Sequence, residues 1–234
     1  MAASALSPNS KTNMIQVSSM LFDLDGTLID SREDLARSIN LMLADLSRPA
    51  LDQSQISSFV GDGVWVLVYR SLKASEPNGE PPDDVLHKRG IELMRHHYTE
   101  QMLVSTHLFP NVAETLEQFN GKQIGLVTSK ESDLAKMLLE HFGIARFFDC
   151  IVGGDQVAER KPDPKPVLRA MELLSAGPTD TVMIGDSEND VIAGKRAGTA
   201  TCGVTYGFRT EAQILETKPD IVAHSFEDLG RWFS

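Results

Sequence analysis

Met20-Leu21-Phe22-Asp23-Leu24-Asp25-Gly26-Thr27 is the stretch that decides how this chain folds. It closes an apolar, strand-like run beginning at Val17. Two carboxylates end that run, two residues apart, and a Gly-Thr turn and a helix start follow. On a strand, residues i and i+2 point the same way, and a bend at the strand end lets both acids reach one place. Two unpaired carboxylates held together repel; a divalent cation with hard oxygen ligands relieves that repulsion. Asp is also a competent covalent nucleophile for phosphoryl groups. Because Asp and Gly are ordinary turn residues too, the octet acquires a chemical meaning only from its company.

Three later segments supply that company. Val127-Thr128-Ser129-Lys130 ends a second apolar run, Ile124 to Val127. Arg160-Lys161-Pro162-Asp163-Pro164 precedes a helix, with Asp163 expected as its N-cap and a proline at its first position. Met183-Ile184-Gly185-Asp186-Ser187-Glu188-Asn189-Asp190 ends a third run that starts at Thr181. From residue 111 onward, helical patterns alternate with short apolar strands, expected at 123–127, 147–152, 181–184, 201–205 and 220–223. Such alternation predicts a doubly wound, Rossmann-like α/β core with a parallel sheet covered on both faces. In open sheets of this kind ligands bind beyond the carboxyl ends of the strands, which is where all of these polar segments fall.

Between Asp30 and Leu108 the pattern is helical only. Ser31-Arg32-Glu33-Asp34 reads as a capping box, followed by Leu35, Ile39, Met42, Leu43 and Leu46 at helical spacing; Gly61-Asp62-Gly63 opens another helix, and a charged one runs from about Asp83 to Met102. The expected organisation is therefore a tail over residues 1–14 with no structure of its own, a core over 15–30 and 109–234, and an inserted all-helical cap over 31–108.

The chain has 234 residues, 41% of them hydrophobic and 24% charged, with a formal net charge of -11. That acidity argues against broad nucleic-acid binding, which needs a basic face, and requires any phosphate site to be made positive locally. Cys150 and Cys202 sit in apolar runs and read as buried thiols, with neither a disulfide framework nor a zinc site. No apolar stretch approaches the ~18 residues of a membrane span, and residues 1–13 lack the apolar core of a secretory signal, so the expectation is a cytoplasmic protein without a membrane partner, either monomer or homodimer.

The order of acid pair, hydroxyl, lysine and second acid pair resembles the haloacid dehalogenase superfamily of phosphohydrolases, over nearly the whole chain from about Met20. Within it, Phe59-Val60-Gly61-Asp62-Gly63 and Gly203-Val204-Thr205-Tyr206-Gly207-Phe208-Arg209 resemble the phosphoglycolate phosphatase branch. The resemblance implies a magnesium-dependent phosphatase of a small phosphorylated metabolite, 2-phosphoglycolate first among them, with Mg2+ as the cofactor. It implies Asp23 as nucleophile and Asp25 as general acid/base, Thr128 and Ser129 as phosphate ligands, and Lys161 as the cation that neutralises Asp23 and phosphate. The metal would be held by Asp23, the Asp25 carbonyl and Asp186, with Asp190 in outer-shell support. The Gly61–Gly63 turn, including Gly63, is expected to face the substrate's carboxylate together with Arg70. Other readings are a β-phosphoglucomutase-like mutase, a pyrophosphatase, a sugar-phosphate or nucleotide phosphatase, and a non-catalytic phosphate-binding protein. Thr27 tilts the choice away from mutases, whose counterparts often carry a branched apolar residue there. His96, His97 and His107 read as members of a polar helix face.

Overall fold

The computed structural model describes residues 16–233; the expected 1–14 tail lies outside them. Ser19–Phe22, the strand within the first apolar run, is buried throughout, with neighbouring strands on both sides. In chain order the elements begin β1 (Ser19–Phe22), β2 (Ile29–Asp30), α1 (Arg32–Asp45), α2 (Gln53–Ser58), α3 (Val64–Ala74), α4 (Asp84–Gln101) and β3 (His107–Leu108). They continue through α5 (Val112–Gln118), β4 (Gln123–Val127), α6 (Ser132–His141), β5 (Cys150–Val152), α7 (Lys165–Leu174) and β6 (Thr181–Gly185). The last are α8 (Glu188–Ala197), β7 (Ala200–Val204), α9 (Glu211–Glu216), β8 (Ile221–Ala223) and α10 (Asp228–Phe233). Among the described residues one sheet has the order β5-β4-β1-β6-β7-β8, all pairs parallel, and β2 pairs with β3. The fold is the Rossmann-like α/β sheet expected from the alternating pattern.

The chain runs outward from β1 to β4 and β5, then returns to β6 on β1's other side. That reversal is the topological switch point of an open α/β sheet. Along β1, Met20 and Phe22 join a buried cluster with Ile124, Leu126, Val182 and Ile184, while Leu21 joins another with Val127 and Met183. Alternate residues thus face opposite layers, and both layers are apolar. Phe22, fully buried, stacks on Phe226 with ring centroids 5.8 Å apart.

The described residues divide into two compact units. Those up to Ile29 together with those from Leu108 onward form one, and Asp30–His107 forms the other. The second unit packs α1 against α2, α3 and α4 through Ile39, Met42, Leu43, Ile56, Val68, Leu72 and Met94. Its α2 has the sequence Gln-Ser-Gln-Ile-Ser-Ser and buries only Ile56, too little periodicity to be read as a helix in advance. No described helix is long and apolar enough to cross a membrane.

Several local expectations change. Ser31 makes no side-chain cap hydrogen bond to α1. Asp34, expected at the acidic end of that capping box, instead accepts from the Ser105 and Thr106 amides and the Thr106 hydroxyl, at 2.7–3.0 Å, while fully buried. Satisfying three donors outweighs one cap. Asn111 stands at the N-cap position of α5 with a left-handed φ of 63° and makes no side-chain cap bond. The helix after Lys161 is capped by Pro164 rather than Asp163, whose carboxylate accepts from the Lys165 amide instead. The expected strand at 147–152 is only Cys150–Val152, preceded by a 3-10 turn at Ala145–Phe147. Both cysteines are free; Cys202 is buried and Cys150 half-buried, and burial, with Asp149 adding, pushes the Cys150 thiol up to about 11.

Candidate active site

Parallel register sets the site. Phe22 is level with Leu126 of β4 and with Ile184 of β6, so Asp23, Thr128 and Asp186 leave the sheet side by side at its carboxyl edge. The Asp23 amide still donates to the Ile184 carbonyl at 2.9 Å, which holds its carboxylate in line with the sheet. The chain then turns sharply. The amides of Thr27, Leu28 and Ile29 all donate to the Leu24 carbonyl, and Gly26 adopts a φ of 87° that suits glycine.

Lys161 comes in from the loop before α7 and is 4% exposed. Its ammonium donates to Asp23 Oδ1 at 2.8 Å, Asp190 Oδ1 at 2.6 Å and the Val127 carbonyl at 2.7 Å. Three donors meet three acceptors, so burying this charge leaves none of its hydrogens unpaired. The other oxygen of Asp190 accepts from the Ser187 hydroxyl at 2.6 Å and the Ser187 amide at 3.1 Å. One carboxylate thereby caps α8 and anchors Lys161 at once.

Asp186 is 3% exposed, and its Oδ2 accepts from the Phe208 amide at 2.6 Å. Glycines make room for it. A Cβ on Gly207 would lie 2.3 Å from the Asp186 Cβ and 2.4 Å from the Gly26 carbonyl oxygen; a Cβ on Gly26 would lie 2.2 Å from Asp186 Oδ2. Gly207→Ala should therefore displace the Asp186 carboxylate. The expected result is at least roughly tenfold weaker activation by divalent cation, the scale of a lost outer-shell contact. Unchanged metal dependence of phosphate release would show that the crowding is relieved elsewhere.

Asp25 sits 3.3 Å from the Lys130 ammonium, both side chains largely buried. Sequence reading assigned Lys130 no role; its only signal was its place three residues beyond β4, beside the hydroxyls. Thr128 is 4% exposed. It does not cap the next helix, since Glu131 stands at that position. Its amide is committed to the Val152 carbonyl at 3.0 Å, so its hydroxyl is the group it offers to a ligand. That hydroxyl oxygen accepts from the Lys130 amide at 3.1 Å, which leaves its own hydrogen to donate. Ser129 follows directly and is partly exposed. Gly63 lies in the other unit, as N-cap of α3 with a φ of 82°. Arg70, expected to face a carboxylate of the substrate, is paired with Asp62 at 2.6 Å and donates to the Phe59 carbonyl.

Ligand atoms of Asp23, Asp186 and Asp190 lie within 4.8 Å of one another. Three carboxylates face one ammonium, an excess of two negative charges when all are ionised. Burial pushes the Asp23 carboxyl up to about 7, with Lys161 pulling against it and Asp190 and Asp25 adding. Burial, then Asp190 and Asp23, hold Asp186 well above the usual carboxylate range, with the Phe208 amide and Arg209 opposing. For Lys161, burial alone would lower the pKa, but Asp190 and Asp23 outweigh it and keep the ammonium charged. The donor set and the space left by Gly26 and Gly207 fit a hard divalent cation.

These shifts have a sign. Both acids have raised pKa values in the folded protein, so it binds their protons more tightly than the unfolded chain, where Asp titrates near 3.9. Their stabilising contribution is complete below that value and is lost as pH rises through about 7. Metal-free protein should melt lower at pH 8 than at pH 6, by about 1–2 kcal/mol or roughly 3–6 °C for a chain of this size. Saturating Mg2+ should remove most of the difference. Calorimetry in EDTA and in MgCl2 checks this; a metal-free melting temperature that rises between the two pH values would contradict the charge excess.

With this geometry in hand, comparison with known proteins is direct. A family model described as haloacid dehalogenase-like hydrolase matches residues 20–204. Phosphoglycolate phosphatase of Vibrio parahaemolyticus is 38% identical over 210 residues, spanning 89% of this chain and 92% of that protein. Phosphoglycolate phosphatase of Escherichia coli K12 is 36% identical over 224 residues, 89% of each chain. The crystal structure of a predicted phosphoglycolate phosphatase from Haemophilus somnus superposes with a TM-score of 0.87 at 32% identity, over 94% of this chain and 99% of that one.

Proposed function

We propose, given that the chain belongs to the haloacid dehalogenase-like hydrolase family, that it hydrolyses 2-phosphoglycolate with Mg2+ through an aspartyl-phosphate formed on Asp23. It is a phosphatase acting on a phosphomonoester. The observation that carries the reading furthest is the buried Lys161 ammonium bridging Asp23 and Asp190 beside the Val127 carbonyl. It places a fixed positive charge against a carboxylate at the switch point of the sheet.

In this reading one Asp23 oxygen attacks phosphorus while the bond to the leaving alkoxide breaks. Asp25 gives that alkoxide its proton. Asp25 then takes a proton from water, which attacks the aspartyl-phosphate, releasing inorganic phosphate and restoring Asp23. Lys161 pulls Asp23 toward its charged form against the cost of burial, and offsets charge on the phosphoryl oxygens. The Thr128 hydroxyl and Ser129 orient those oxygens. Lys130 holds the Asp25 side chain in place. Asp23, the Asp25 carbonyl and Asp186 would hold the cation, which supplies neutralisation of phosphoryl charge and a template for in-line geometry; Asp190 acts through Lys161. Gly63 is assigned to the substrate's carboxylate end, since it opens a helix of eleven residues and the N-terminus of a helix favours an anion.

Phosphate release from 2-phosphoglycolate, pyrophosphate, sugar phosphates and nucleotides, with Mg2+ and after EDTA dialysis, tests the assignment. A higher kcat/KM for another class would move the substrate; full activity after EDTA dialysis would remove the metal. Asp25→Asn should cut steady-state turnover by about 10²- to 10⁴-fold while leaving the cation site, because the backbone carbonyl is retained. Acid-quenched protein should then carry covalent phosphate. Steady-state hydrolysis at the unmodified rate would refute the acid/base role.

A further inference from the structure

The histidines of α4 carry chemistry that the phosphatase reaction does not use. His96 and His97 are adjacent, about 100° apart around the helix, so on their own they diverge. Glu100 brings them together, being four residues from one and three from the other, the two spacings at which helical side chains meet. One donor atom each from His96, His97 and Glu100 lies within 4.8 Å of the other two. The imidazole rings stand 5.3 Å apart, and His96 Nε2 is 3.9 Å from Glu100 Oε1. A second carboxylate comes from a different helix: Asp45, the last residue of α1, places Oδ2 2.8 Å from His97 Nε2. All four residues belong to the same unit.

We propose that His96, His97 and Glu100, with Asp45, form a binding site for a transition-metal dication of the zinc type. The donor chemistry decides the class. Imidazole nitrogen suits zinc, cobalt, nickel and copper, whereas magnesium takes oxygen donors and surrenders its water reluctantly. Two neutral imidazoles and two carboxylates give a site of charge -2, matched to one dication. Asp45 orients the His97 ring, as a carboxylate commonly does for a metal-bound imidazole. The side chains of His96 and Glu100 are 65% and 59% exposed, so both can close the last ångström onto an ion without moving the backbone. Because this chemistry differs from that of the acids at the strand ends, the two sites select different ions.

Cobalt(II) titration of the full-length protein, saturated with Mg2+, tests this by visible absorption. One equivalent should bind and give the d–d bands of a nitrogen-containing site. His96→Ala, His97→Ala and Glu100→Gln should each weaken binding by roughly 10- to 100-fold, and Asp45→Asn by about tenfold. Magnesium-dependent phosphate release should stay within twofold in all four, which also shows that each variant is folded. Cobalt affinity unchanged in the His96→Ala/His97→Ala double variant would overturn the proposal. So would spectral loss in Asp186→Asn but not in the histidine variants, since the ion would then sit among the strand-end acids.

Discussion

Asp23→Asn should reduce phosphate release by about 10⁴- to 10⁶-fold, the scale seen when a nucleophile is removed from a covalent mechanism. An amide is nearly the shape of a carboxylate but cannot form the acyl-phosphate. Its carbonyl oxygen still accepts from Lys161, so the bond now 2.8 Å long survives the change. The substitution also removes a buried charge whose ionisation is costly, as the pKa of about 7 records. Metal-free melting should therefore be unchanged or higher at pH 8 even as turnover vanishes. Activity assay and calorimetry on the same preparation check both halves. Turnover within tenfold of the parent would sink the aspartyl-phosphate mechanism, and a large fall in melting temperature would mean that the carboxylate supports the fold.

Lys161→Met should have the other large effect, and on both axes. The apolar side chain fills the volume but supplies none of the three hydrogen bonds to Asp23, Asp190 and Val127. Breaking a buried pair from one side strands the remaining charge, at about 3–5 kcal/mol, so metal-free protein should melt roughly 10 °C lower. Turnover should fall about 10²- to 10³-fold, the loss typical when one fixed charge or donor at a developing negative charge is deleted. Magnesium should recover part of the melting temperature, since it offsets the same carboxylates, but not the turnover. A variant that keeps parental kcat would leave Lys161 a purely structural cation, and Asp190 with it.

The parts of the molecule that could be read in advance share a property: they are local. Strand β4 was legible at Gln123–Val127 because apolar residues, a lysine-flanked start and a hydroxyl end lie within a few positions. The helix opened by Gly61-Asp62-Gly63 was legible for the same reason. The acids Asp23, Asp25, Asp186 and Asp190 announced themselves by spacing at strand ends. What failed also had a local cause, namely a polar side chain with two possible partners. Asp34 had a helix amide at hand and took the 105–106 backbone 71 and 72 residues away. Asn111 stands at the cap of α5 without a side-chain bond, and Asp163 bonds the first amide of α7 from one residue before its cap position. Such choices depend on donors brought in by the fold, and a window of ten residues does not contain them.

The sequence by itself determined the alternation of apolar runs and helices, hence a parallel α/β sheet, the helical insertion after the first acids, and the set of carboxylates, hydroxyls and lysine carried at strand ends. Their order along the chain was enough for the family resemblance. Only the tertiary structure decided that β1 lies between β4 and β6, which brings Asp23, Thr128 and Asp186 to one edge. Only it decided that Lys161 reaches under Asp23 and Asp190 together, that Lys130 guards Asp25, and that Gly26 and Gly207 empty the space around Asp186. The physical reason is that strand order and side-chain approach are settled by burying apolar surface over the whole core, with buried charges then forced to find partners wherever the packed backbone has placed them.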